Sequence, residues 1–144
     1  MKARVVSVNT SEKRGQKKKP APAIEIETGH GVVGDAHGGF HPVREISLLA
    51  IESHRKMIEK GVNVSPGDFA ENITTEGIDL PALPVGTRLR IGPVEAEVTQ
   101  IGKTCHDRCN IFAQVGDCVM PREGIFVKSL NPGTIRPGDE ILVL

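Results

Sequence analysis

Short runs in which apolar and polar residues alternate recur along the whole chain, and each predicts a strand with one buried face. Ala3 to Val8 begins the series. Ala23 to Thr28 follows, with Ile24 and Ile26 on one side, and Glu45 to Leu49 is a third. Thr87 to Ile91 and Val94 to Ile101 flank Gly92-Pro93, the pattern of a hairpin with a tight turn. Gly124 to Leu130 and Asp139 to Leu144 come last, separated by turns at Gly133 and Pro137-Gly138. Many short strands at close spacing predict a mainly β fold, a barrel or a sandwich, with a few short helices. One helix is predicted where Ile51, His54, Met57 and Ile58 form an apolar stripe, with Lys60 in its last turn and Gly61 as its stop. A second, short helix is expected over Asn110 to Gln114 with Asp107 as its N-cap.

At 144 residues the chain fits a single domain spanning 1–144. It has four Phe and no Trp or Tyr, so the core must rest on Val, Ile and Leu. Eighteen basic residues balance eighteen acidic ones. No net basic field draws the protein to nucleic acid, and stacking aromatics for single strands are missing. No apolar run approaches the ~20 residues needed to span a bilayer. The Val5-Val6-Ser7-Val8 stretch is shorter than a signal-peptide core of about 7–15 residues. Three cysteines close no disulfide framework, which points to the reducing cytoplasm. Ser11 to Pro20 carries Lys13, Arg14, Lys17, Lys18 and Lys19. It reads as a solvated loop between the first two strands, or alternatively as a basic flap over an anionic ligand.

Candidate chemistry centres on Gly102-Lys103-Thr104-Cys105-His106-Asp107-Arg108-Cys109-Asn110-Ile111, with Cys118 further on. A thiol beside Lys103 and Arg108 ionises more easily, and the thiolate is both nucleophile and soft metal ligand. Placed in the first turn of the short helix, Cys109 would gain further from the helix dipole. Cys-x3-Cys-x8-Cys does not match a common zinc site, although His30, His37 and His41 leave a metal reading open. Cys109 with a histidine would also suit nucleophilic catalysis, but nothing in the spacing selects the partner. Cys105 and Cys118 read equally well as ordinary buried thiols. The run from Gly29 to Gly39 carries no nucleotide fingerprint and is either a tight loop or a ligand-facing one. In Pro66-Gly67-Asp68-Phe69-Ala70-Glu71-Asn72-Ile73 a turn leads into a strand and delivers Asn72 just after a buried Phe69. An Asn there caps the turn or hydrogen-bonds a ligand.

Taken together, these segments resemble the MOSC family, named for the C-terminal domain of molybdenum-cofactor sulfurase. The resemblance runs from about Val5 to Leu144. It rests on Gly31-Val32-Val33-Gly34-Asp35-Ala36-His37, on Arg44-Glu45-Ile46-Ser47-Leu48-Leu49 and on Pro66 to Ile73. It rests further on Lys103 to Cys109, on Gly116-Asp117-Cys118-Val119-Met120-Pro121-Arg122-Glu123-Gly124-Ile125-Phe126 and on Pro137-Gly138-Asp139. Each is weak alone; their order and spacing make the match specific. The small stand-alone prokaryotic members are the most similar.

The resemblance implies a closed β-barrel and a pocket for the molybdenum cofactor, a pterin with a phosphate and a dithiolene-bound metal. It implies that Cys109 ligates molybdenum or carries sulfur, and that Arg44, Ser47 and Asn72 line the pocket. Lys103 and Arg108 would favour the thiolate and meet the phosphate. Two departures stand out: Ala70 occupies a position where the amidoxime-reducing branch carries Arg, and that branch's N-terminal barrel subdomain is missing. The chain also lacks a desulfurase domain, so pyridoxal phosphate is not expected. The expected function is cofactor binding for sulfuration or delivery. The alternatives are a small molybdenum-dependent reductase of N-hydroxylated compounds, a metal-free persulfide carrier, or a zinc-bearing interaction module. Expected partners are molybdenum-cofactor biosynthesis proteins, or a molybdoenzyme or redox partner.

Overall fold

The computed structural model describes residues 3–11, 18–35, 45–102 and 123–144. Eleven strands, one α-helix and one 3-10 turn are found among them. In chain order the strands are β1 (Ala3–Thr10), β2 (Lys19–Ala21), β3 (Ile24–Glu27), β4 (Gly31–Val32) and β5 (Ile46–Ala50). Helix α1 (Ile51–Glu59) follows, then β6 (Ile73–Glu76), the turn Leu80–Ala82, β7 (Arg88–Ile91) and β8 (Val94–Ile101). Last come β9 (Ile125–Ser129), β10 (Gly133–Ile135) and β11 (Glu140–Val143). The expected strands all form, and Gly92-Pro93 turns the β7–β8 hairpin. The second expected helix, over 110–114, lies outside the described residues.

Strand order β11-β7-β8-β9-β5-β6-β1 is closed by pairing of β11 with β1, giving a seven-stranded barrel, and β2 is appended to β1. Closure leaves no edge in the ring, which settles barrel against sandwich. Alternation explains the interior. In β7, Leu89 and Ile91 point in while Arg88 and Arg90 stay exposed, and Val94, Ala96 and Val98 of β8 face them. The smaller sheet β10-β3-β4 adds Ile24, Ile26, Val32 and Ile135 to the same core.

Strand β5 is buried on both faces. Ile46, Leu48 and Ala50 enter the barrel core, whereas Leu49 joins a second cluster with Met57, Val62, Val64, Phe69 and Phe126. Helix α1 and the segment after it cover this outer face. His54 and Met57 are fully buried, but Ile58 is 50% exposed, so the buried stripe is narrower than the periodicity predicts. The helix stops as expected. Gly61, at φ 91°, donates to Ile58 O, Val62 donates to Met57 O, and the apolar Val62–Met57 pair seals this Schellman-type end. Among the described residues no helix is long and apolar enough to cross a membrane.

Within the basic run Lys19 is exposed as a solvated segment requires and Lys18 is not, while Lys13, Arg14 and Lys17 lie outside the described residues. The Lys18 ammonium is buried, 2.8 Å from Asp35 Oδ1, and also donates to Ser11 Oγ. Asp35 Oδ1 accepts the Ser11 N–H as well. An ammonium on a long stem can reach inward, and burial is tolerable because a carboxylate meets it. Removing only one charge strands the other, so Lys18→Met should cost about 3–5 kcal/mol of unfolding free energy in denaturant titration. The double change Lys18→Met with Asp35→Leu should recover most of that loss.

Candidate functional site

A polar network lies on the outer face of β1, β6 and β5, beneath α1. A β-bulge makes it possible. Val5 pairs with Thr75 and Ser7 with Thr74, so Val6 is extra. The inserted residue changes which positions face inward. Val5 and Val8 therefore both reach the core, while Ser7 and Asn9 are buried in the network. Ser7 Oγ donates to Asn9 Oδ1 at 2.7 Å. Asn9 Nδ2 donates to Thr74 Oγ1 and to Glu71 O, each at 3.1 Å. Thr74 Oγ1 donates to Glu71 Oε2 at 3.0 Å, and His54 Nε2 stands 2.5 Å from the same oxygen.

The structure brings Ser47 and Asn72 together. Ser47 N–H donates to Asn72 Oδ1 at 3.0 Å, and Asn72 N–H donates to both Ser47 O (3.0 Å) and Ser47 Oγ (2.9 Å). The Ser47 hydroxyl hydrogen is shared between Asn72 Oδ1 and Ala70 O. Both residues are buried, so Asn72 acts first as the cap that joins the start of β6 to β5. Its Nδ2 donates to Asn9 O at 3.4 Å, and its second amide hydrogen has no acceptor among the described residues.

The turn before Asn72 is under constraint. Gly67 sits at φ 92°, and a Cβ there would lie 2.1 Å from Lys18 O, so only glycine fits. Ala70 is left-handed at φ 62°, the one such non-glycine residue among those described. Its N–H is held by Gly67 O. This reversal turns Glu71 inward and Asn72 toward β5.

Beyond β5 lies the stem of the cysteine-bearing segment. Gly102 N–H donates to Gly124 O at 2.6 Å, so the described residues on either side of 103–122 meet between β8 and β9. Phe126 of β9 pairs with Ser47, which puts that point about 10 Å from Ser47. Glu123 is gripped by Ser53 Oγ (2.7 Å) and Lys56 Nζ (3.0 Å) of α1. Glu45, which follows Arg44, accepts from Ser129 N–H and lies 3.1 Å from Ser129 Oγ. Arg44, Lys103, Arg108 and Cys109 lie outside the described residues, as do Cys105, Cys118, His37 and His41. Among the described residues no cluster of His, Cys, Asp and Glu could hold a metal ion.

Residues 35–142 match the family model of the MOSC domain. The chain belongs to the MOSC domain family. A match over most of the chain supports a molybdenum-cofactor-sulfurase-type domain at family level. Solved structures share the MOSC fold. The YuaD protein from Bacillus subtilis is 20% identical, with TM-score 0.80, 98% of this chain and 94% of that one covered. YiiM from Geobacillus stearothermophilus is 18% identical (TM-score 0.74; 99% and 75% covered). YiiM from Escherichia coli is 18% identical (TM-score 0.69; 100% and 70% covered). A search of curated proteins gave no match.

Sequence reasoning singled out Ser47 and Asn72 but missed Asn9, Glu71 and His54. The signal for Glu71 was its place beside Asn72 in a turn already flagged; Asn9 and His54 gave none, because their partners are distant in sequence. In the MOSC turn, Ala70→Gly relieves about 1–2 kcal/mol of left-handed strain against a smaller entropic loss. It should therefore raise unfolding free energy by up to about 1 kcal/mol, and Ala70→Val should lower it, both read by denaturant titration.

Proposed function

We propose that this MOSC domain binds a molybdenum cofactor through Cys109 and serves in its sulfuration or delivery. One observation carries the reading. The stem of the segment bearing all three cysteines is anchored on β8 and β9, and β9 is the direct neighbour of Ser47 and, through it, of Asn72. The residues fit such a group: Asn72 retains a donor hydrogen for a pterin or phosphate oxygen, and a thiolate is a soft ligand for the metal. The bound group would supply redox-active molybdenum and its exchangeable sulfur or oxygen ligands. This chain's own part is to hold and orient it. Asn72 hydrogen-bonds its organic portion, Ser47 keeps Asn72 in place, and Arg44, Lys103 and Arg108 meet its negative charge. The partners would be cofactor biosynthesis proteins or a recipient molybdoenzyme, in the cytoplasm.

The test is elemental analysis with pterin fluorescence on protein from a host that makes the cofactor. Wild type should carry molybdenum and pterin; Cys109→Ser should lose both and keep its fold, while Cys118→Ser should retain most of both. Retained molybdenum in Cys109→Ser would overturn the assignment. A cyanide-labile sulfur on Cys109 without metal would select the persulfide carrier instead.

A further inference from the structure

We infer that Glu71, oriented by His54, is the positioning residue for the Ser47–Asn72 pair, and through it for the cofactor site just proposed, on which the functional half of this inference rests. Glu71 is fully buried, as is His54. Its two carboxylate oxygens draw on three separate pieces of the chain. Oε1 accepts the Phe69 N–H of the left-handed turn at 3.2 Å. Oε2 accepts Thr74 Oγ1–H from β6 and faces His54 Nε2 of α1. The Glu71 carbonyl accepts from Asn9 of β1. The carboxylate therefore sets the conformation of residues 69–72, and Asn72 is the last of them.

His54 carries the second half of the argument. A carboxylate only accepts, so the imidazole hydrogen facing it is on Nε2. That leaves Nδ1 buried with no partner among the described residues, on a ring whose centroid lies 4.8 Å from that of Phe69. A buried orphan acceptor is costly, and a leucine would fill this space without one. A residue selected only for packing does not account for it. Donation to Glu71 does.

The substitutions follow from the hydrogen positions. In Glu71→Gln only one acceptor oxygen remains: facing Phe69 it turns a donor toward His54 and drives the imidazole hydrogen onto Nδ1, and facing His54 it sets the amide nitrogen against the Phe69 N–H. His54→Leu removes the donor outright. His54→Gln restores an N–H directed at Glu71.

Residue-resolved amide hydrogen exchange on the full chain reads the effect without any cofactor. Ser47 N–H, held by Asn72 Oδ1, is the reporter; Val98 N–H of β8, held by Thr87 O, is the reference. Glu71→Gln and His54→Leu should each lower Ser47 protection about ten-fold or more relative to Val98, and His54→Gln should return it to within about three-fold of wild type. Equal loss at Ser47 and Val98 would reduce Glu71 to a general stabiliser and overturn the inference, as would unchanged Ser47 protection. If Glu71→Gln does not fold, the two His54 variants decide. Cofactor affinity measured on the same variants should fall about ten-fold where Ser47 protection falls. Unchanged affinity there would sever the link to binding. No binding by wild type would sink the proposed function and leave the exchange result standing on its own.

Discussion

Closure of the barrel is the constraint from which the rest of this structure follows. A ring of seven strands has spent most of its backbone hydrogen bonds on itself, and β2 takes up the remaining stretch of β1, so little edge is left to build a site on. It has to be built on the outer face, from side chains that would otherwise be solvated. Covering that face with α1 buries them, and buried polar atoms must then find partners. The network from Ser7 through Asn9, Thr74 and Glu71 to His54 Nε2 meets that demand with donors and acceptors in a fixed order, and only His54 Nδ1 at its end has no partner among the described residues of the network. Ser47 and Asn72 are locked because their surroundings are locked.

The interior was legible in the sequence because its rule is local. Ile24 and Ile26, or Leu89 and Ile91, announce an inward face by simple alternation. Val5-Val6-Ser7-Val8-Asn9 does not, since its pattern suits either face until Val6 is known to be a bulge. Bulges depend on the partner strand, here β6, some seventy residues away. Lys18 was misread for a related reason. It sits among lysines, and only the fold brings Asp35 to it. The MOSC resemblance pointed to Ser47 and Asn72 through motifs, and the fold puts the two in direct contact where β5 meets the start of β6. It did not reveal that Asn72 is so deeply engaged by Ser47 that most of its hydrogen-bonding capacity is structural.

Two features run against local stability, and both adjoin the same turn. Ala70 holds a left-handed conformation that glycine would adopt more cheaply, and Gly67, three residues earlier, already uses that freedom. Lys18 and Asp35 form a buried ion pair where apolar side chains would serve stability as well. The turn accepts the Lys18 N–H at Gly67 O, so the ion pair and the strained residue brace one segment. Strain persists only where surrounding structure over-determines it. Here that structure comes from β1, β6, α1 and the segment that carries Asp35. A turn fixed from so many sides serves placement: it delivers Glu71 to the helix and Asn72 to β5 from adjacent positions, and neither can shift without the other.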